Sequence, residues 1–320
     1  MSIIWDYRFA FRLQGWEDVP TEFRRTYRNV VAAQGEPVWG LFSPSLEEGN
    51  FLVGRRTSPC LWPVFRNGLT LLSLHAQSNA VSTWEVPRQD FLGYGLVEFL
   101  LDCSFSLYLG SSQGEPVRVR FPSRAWEKYQ ELAQLLQTWM TDETHPDSAP
   151  AQPGQGRRLA GLPSKFTRFI DAYPEIGNVQ EEFFQPRLVF SRRRGEEWPD
   201  LWLLLTSKAV VVLCDQCPRG WSEYGVEACF FPLASVRSAD WVEGTDADRG
   251  TVRIHLKAVT RRADVSWIVF SGLKFYVLRW VEALHAALTR RKKLGAAGGS
   301  SGEAETLPLQ KVSLFSCEKH

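Results

Sequence analysis

The chain has 320 residues, 13 of them Trp, with 44% hydrophobic and 23% charged residues and a formal net charge of +1. That length fits two domains of common size, the aromatic content supplies area for small cores, and the near-zero charge excludes a general attraction to nucleic acid. No stretch approaches the ~20 apolar residues of a transmembrane segment, Met1-Ser2-Ile3-Ile4-Trp5-Asp6 lacks the regions of a signal peptide, and six irregularly spaced Cys give no disulfide framework, so a cytoplasmic protein is expected.

In chain order, Trp5, Tyr7, Phe9, Phe11 and Leu13 alternate with polar residues and predict a strand at a sheet edge. Val19-Pro20-Thr21-Glu22-Phe23-Arg24-Arg25 reads as Pro, an N-cap hydroxyl and a short amphipathic helix. A hairpin follows, from Leu61-Trp62 to Leu71-Leu72 around Arg66-Asn67. Next come Val86-Pro87, Leu96-Val97-Glu98, the alternating Phe105, Leu107 and Leu109, and a strand ending at Phe121. Trp126, Tyr129, Leu132, Leu136 and Trp139 then share one helix face.

The same succession returns once. Leu162-Pro163-Ser164-Lys165-Phe166-Thr167-Arg168 matches the first helix start. Leu201-Trp202 to Val211-Val212, around Thr206-Ser207, matches the hairpin. Phe231-Pro232, Trp241-Val242-Glu243, the alternating Val252, Ile254 and Leu256, and a strand ending at Phe270 follow in order. The closing helix carries Phe275, Leu278, Val281, Leu284 and Leu288. Seven matches in one order predict an internal duplication. The expected division is 1–141, 142–161 as a Pro/Gly-rich linker, 162–294, and 295–320 as a Gly/Ser tether with an apolar end.

Short strands closed by one helix resemble the pleckstrin-homology superfold. The second copy is similar to bacterial pleckstrin-homology-like domains through Leu203-Leu204-Leu205-Thr206-Ser207-Lys208-Ala209-Val210-Val211-Val212 and Phe231-Pro232-Leu233-Ala234-Ser235-Val236-Arg237-Ser238. The first copy departs from that pattern at Arg88-Gln89-Asp90-Phe91. The resemblance implies an α+β fold of two tandem PH-like β-sandwich or barrel domains, each preceded by a short helix and closed by an amphipathic one. It also implies binding of lipid, peptide or protein, because the superfold serves all three.

Few residues offer chemistry. Gly110-Ser111-Ser112-Gln113-Gly114 fits G-x-S-x-G, but a strand is expected after it where a hydrolase elbow needs a helix, so it reads as a hairpin turn. Cys214 and Cys217 form a lone C-x-x-C with Cys229 and His255 as the nearest further ligand types; two loop thiols are the simpler reading, and no metal or cofactor is expected. His145, His255, His285 and His320 have no evident catalytic partner. Arg192, Arg193 and Arg194 form a basic turn suited to phosphate, with Glu196-Glu197 directly after it. Between Leu162 and Leu294 there are 20 Lys and Arg against 16 Asp and Glu, and between Val19 and Thr141 there are 11 of each, so the basic excess lies on the second copy. Trp16, Trp198 and Trp221 fall in expected loops, either as contact residues or as rims of the core.

Leu307, Leu309, Val312, Leu314 and Phe315 make a strand-like peptide able to add to an open sheet edge, its own or another molecule's. The function read from these features is a non-enzymatic interaction or scaffolding protein, binding protein or peptide through sheet edges and the groove beside each closing helix. Two alternatives stand beside it. One is a peripheral membrane adaptor holding anionic lipid head groups on the second copy. The other is an enzyme with its site between the copies.

Overall fold

In the computed structural model of the chain, the described residues are 10–44, 47–48, 55–56, 58–75, 78–99, 102–110, 116–141, 165–166, 169, 179–191, 196–215, 225–245, 249–257 and 262–297. The fold is α+β, with antiparallel strand pairing throughout these residues. The expected linker, the tail from residue 298 and the residues before Ala10 lie outside them.

The first half runs β1 Phe11–Arg12, α1 Thr21–Gln34, β2 Trp39–Ser43, the hairpin β3 Glu47–Glu48 with β4 Arg55–Arg56, β5 Cys60–Phe65, β6 Gly68–Leu74, β7 Val81–Pro87, β8 Phe91–Phe99, β9 Asp102–Leu109, β10 Val117–Pro122 and α2 Trp126–Thr141. The second half runs β11 Val179–Gln185, the hairpin β12 Leu188–Ser191 with β13 Glu196–Trp198, β14 Leu201–Thr206, β15 Ala209–Asp215, β16 Gly225–Pro232, β17 Val236–Glu243, β18 Arg249–Lys257, β19 Arg262–Phe270 and α3 Lys274–Ala297. A small hairpin sits after the first long strand of each half. A one-turn 3₁₀ helix, Ser123–Ala125 or Ser271–Leu273, precedes each closing helix. Even an irregularity recurs: β8 on β9 shifts register between Phe91 and Gly93, and β17 on β18 shifts between Val236 and Ser238.

Three sheets stack. β1-β2-β5-β6-β7 form the first, β10-β9-β8-β16-β15-β14-β11 the second, and β17-β18-β19 the third. Helix α1 packs Phe23, Tyr27 and Val30, spaced four and three apart, on Phe42, Leu61, Phe65 and Leu72 of the first sheet. It stops at Gly35, whose φ of 86° suits glycine and whose N–H bonds Val31 O at 2.8 Å. β1 pairs with the edge strand β2, Phe11 opposite Phe42, so the described end of the expected N-terminal strand does lie at a sheet edge. Thr21 is not the expected cap: the helix starts on it, after Pro20, without a side-chain cap bond.

Two expected alignments are off by one residue, and in a strand one residue exchanges the faces. Val64 pairs with Leu69 and Leu205 with Val210, so Trp62 corresponds to Leu203. Trp202 faces the other side, against Phe166 at 6.3 Å between ring centroids. The second hairpin turn is Ser207-Lys208, because Thr206 ends its strand and its Oγ1 accepts from Ala209 N at 2.9 Å. In α3 the buried stripe is Val277, Trp280, Val281, Leu284, Ala287 and Leu288; Phe275, expected within it, is 74% exposed. Helical spacing alone does not say which side of a stripe is its centre.

One buried ion cluster ties the start of the second half together. Lys165 Nζ lies 2.8 Å from Asp200 Oδ2 and also bonds Asp215 Oδ1, whose side chain is fully covered. Asp200 N donates to Asp215 Oδ2 at 3.2 Å and Asp200 Oδ1 accepts from Arg187 N at 2.6 Å. Burial alone would lower the Lys165 pKa, but the bonds to Asp200 and Asp215 outweigh it and hold it above its ordinary value. A lysine with a raised folded pKa adds stability at lower pH and loses it as pH rises through that pKa. Two outcomes are expected. Denaturation at neutral pH will show Lys165→Met less stable by about 3 kcal/mol, because two buried carboxylates lose their cation. An alkaline loss of stability above about pH 10.5 in the wild type will be absent from that variant.

Candidate functional site at the joint between the halves

Formation of the seven-stranded sheet depends on one contact. β8, the fifth long strand of the first half, pairs with β16, the fourth of the second, from Tyr94 opposite Phe230 to Phe99 opposite Gly225. On one face of this sheet the interior of the first half continues into the outer face of the second. Trp62, Leu96, Phe105 and the α2 residues Tyr129, Leu132 and Leu136 share a cluster with Trp202, Ala228, Phe230, Phe166 and Phe169. On the other face, Leu92 and Tyr108 join Leu203, Val212, Phe231, Ile254 and Trp280. Strand β16 therefore lies along the β8 edge with α2 against it, its backbone paired and its side chains in two cores.

Aromatic side chains and one glycine fix the approach. Tyr94 stacks on Phe105 and on Phe230, with centroids 5.9 and 5.3 Å apart, and Tyr108 meets Phe231 edge-on at 5.1 Å. A Cβ on Gly93 would stand 2.4 Å from Phe230 O and 2.6 Å from the Phe231 ring, so no other residue admits this spacing.

A polar row crosses the same joint. Arg118 Nε on β10 donates to Ser106 Oγ at 3.2 Å, and its Nη2 lies 4.0 Å from Glu227 Oε1 on β16. Tyr108 Oη and Cys229 Sγ are 3.5 Å apart, and Cys214 Sγ donates to Glu227 Oε2 at 3.8 Å. Gly95 keeps a notch in this row: a Cβ there would touch Cys229 Sγ, Tyr108 Cε2 and Glu227 Oε1 at 3.4 to 3.6 Å. Burial, then the charge of Glu227, pushes the Cys214 and Cys229 thiols well up; burial, then Cys229, does the same to Tyr108. In the first core, burial pushes Cys60 up to about 12 against the opposing influence of Trp62, Tyr129 and Ser43. Thiols held this way are protonated at neutral pH and do not act as nucleophiles.

The residues singled out in the sequence are placed as follows. Cys214 is buried at the end of β15 in the polar row, while Cys217 lies outside the described residues. So do Arg192, Arg193 and Arg194, the peptide Leu307, Leu309, Val312, Leu314 and Phe315, and Trp221. Among the described residues no three His, Cys, Asp or Glu side chains come together to hold a metal ion. The G-x-S-x-G string begins at the end of β9, and β9 and β10 around it are antiparallel. His255 is not isolated: Nδ1 is 2.8 Å from Asp264 Oδ1 and Nε2 3.3 Å from Asp240 Oδ2. His285 Nε2 accepts from the backbone N–H of Ala239 at 3.3 Å. Trp16 packs at 6.0 Å on Tyr27 with Arg28 over its ring, and Trp198 is buried on Phe270, so both rim the core.

Glu227, Tyr108 and Arg118 were not legible as a group. A buried Glu between Val226 and Ala228 is the signal that points to them, and only strand pairing between the halves brings them together. No protein-family model matches the sequence, and no curated protein matches it significantly. No described helix is long and apolar enough to cross a membrane.

Two outcomes follow from the joint. Gly93→Val will cost about 2 kcal/mol or more in thermal or urea denaturation, the scale of overpacking against backbone. In a timed alkylation at pH 8 read by mass spectrometry, Cys60, Cys103, Cys214 and Cys229, all buried, will react only at the rate of unfolding.

Proposed function

We propose that the protein is a non-enzymatic interaction protein of two pleckstrin-homology-like copies that binds an extended segment of a partner protein along a sheet edge beside a closing helix. The observation that carries the reading is the joint itself: the β8 edge beside α2 already holds an extended strand, β16, in antiparallel register. Backbone pairing supplies affinity in such binding, and pockets for alternate side chains supply selectivity.

The counterpart of β8 in the second half is β17, which among the described strands pairs only with β18. Its closing helix lies directly on it. Lys274 on α3 bonds Glu243 at one end, and His285 takes the N–H of Ala239 nearer the other. Ala239 corresponds to Tyr94, which pairs with Phe230 of β16. The side chain of His285 thus occupies a backbone donor on the edge that a bound strand would use. The protonated thiols of the polar row support a binding role over nucleophilic catalysis.

Affinity purification of the full chain from its native host, read by mass spectrometry, tests this. A reproducible protein partner is expected. Ala239→Pro will weaken its capture by about tenfold or more, a loss of ~1.4 kcal/mol, because proline removes the donor that a bound strand takes over from His285 and leaves the ladder to β18 in place. Failure to recover any partner would overturn the reading. Salt-sensitive capture on anionic vesicles, lost on changing Arg192, Arg193 and Arg194 to Ala, would favour a membrane adaptor instead.

A further inference from the structure

We infer that the interior of the first half is a binding site for one water molecule, held by Ser43, Cys60, Trp62 and Tyr129 and joining the closing helix α2 to the first sheet.

Strand register brings the four together. Ser43 on β2 stands opposite Cys60 on β5, and Trp62 follows two residues on, so all three side chains share the face of the first sheet that looks into the core. Tyr129 reaches the same core from α2. None of the four is more than 3% exposed. They lie close enough to act on one another. Trp62, Tyr129 and Ser43 oppose the rise that burial gives the Cys60 thiol, and burial, then Cys60, pushes the Tyr129 phenol well up. Yet Ser43 Oγ, Trp62 Nε1 and Tyr129 Oη, each sealed from solvent, reach hydrogen-bonding geometry with no described group. A buried polar atom is costly unless something bonds it, and polar groups that are near but not bonded are the setting for a bridging water.

The second half shows that the fold itself does not ask for polar groups here. By the hairpin register, Cys60 and Trp62 correspond to Leu201 and Leu203. By the 3₁₀ turn before each closing helix, Tyr129 corresponds to Val277. All three counterparts are buried and apolar. Ser43, opposite Cys60, corresponds to Gln185, opposite Leu201. The Gln185 amide is bonded at both ends: Nε2 donates to Pro199 O at 3.0 Å, and Oε1 accepts from Phe270 N at 2.7 Å. The second half therefore closes these positions with apolar side chains and one satisfied amide, where the first half gathers four polar groups.

The chemistry of the four selects the ligand. Trp62 Nε1 only donates, so the ligand must accept; the Ser43 and Tyr129 oxygens accept as well as donate, so it also gives protons. No Lys, Arg or His is among the groups that act on Cys60 and Tyr129, so a buried anion would lie there without a counter-charge. Burial of all four admits only a small guest. One water taking the Trp62 N–H and donating to the Ser43 and Tyr129 oxygens, with the Cys60 thiol as a weak fourth partner, meets every one of these demands. It bonds β2, β5 and α2 at a single point.

A high-resolution crystal structure of the full chain, a second crystal soaked in bromide, and urea denaturation of Tyr129→Phe test the inference together. The expected result is one peak at about 2.7–3.2 Å from Ser43 Oγ, Trp62 Nε1 and Tyr129 Oη, with no anomalous bromide signal. Tyr129→Phe is expected to lower the folding equilibrium constant about fivefold, because a bonded hydroxyl is lost. A Tyr129→Phe protein as stable as the wild type, or more stable, would mark that hydroxyl as unbonded and overturn the inference. Direct hydrogen bonds among the four side chains with no peak between them would overturn it too. A bromide peak at the same point would replace the water with an anion and overturn it as well.

Discussion

The pairing of β8 with β16 is the constraint on which the rest of the architecture depends. A sheet edge exposes a row of unpaired backbone groups, and without this pairing β8 and β16 would each present one. Joining the fifth strand of one half to the fourth of the other removes two edges at once and makes a single seven-stranded sheet. It also decides what lies on each side of that sheet. The first interior continues into the outer face of the second half, which is why Phe166 and Phe169 share a cluster with Trp62 and Phe105. The two halves are coupled through backbone and core together, so their unfolding should be cooperative.

This arrangement also explains why the closing helices differ. Helix α2 stands over a groove filled by β16 and packs on it. Among the described residues no strand is inserted beside helix α3, which rests on β17 with His285 on an edge donor. The same element does two things because, among the described residues, one groove holds a strand and the other does not. The polar row follows the same logic. Arg118, Ser106, Tyr108, Glu227, Cys229 and Cys214 come from four strands of both halves, and contacts such as Arg118 with Ser106 and Cys214 with Glu227 Oε2 give polar atoms at the joint a partner, where a buried polar group left without one costs about 1–3 kcal/mol.

The order of elements was legible in the sequence because it is written in local signals: period-two runs, a Pro before a helix, an apolar stripe at spacings of three and four. The register was less so. Trp62 and Trp202 look equivalent in a string of apolar residues, but with both faces of β14 buried no alternation marks which side is inward, and a slip of one residue reverses it. Phe275 reads as part of a stripe and is exposed because the centre of the buried face lies nearer Trp280 and Leu284. The joint was not legible at all. Nothing local in Tyr94-Gly95-Leu96 or Ala228-Cys229-Phe230 states that they pair, apart from a glycine where a strand interior would favour a larger residue. The Lys165, Asp200 and Asp215 cluster was hidden for the same reason: its members are far apart in sequence and each is unremarkable alone.

A designed crosslink reads the central pairing directly. Gly95 stands opposite Cys229, and a Cβ there would lie 3.4 Å from the Cys229 Sγ. With Gly95→Cys, refolding under mild oxidation should yield a disulfide between residues 95 and 229, found as one linked pair of peptides by mass spectrometry, in a protein that keeps the wild-type monomer fold. Absence of that link, or linkage of residue 95 to a different cysteine, would contradict the pairing of β8 with β16.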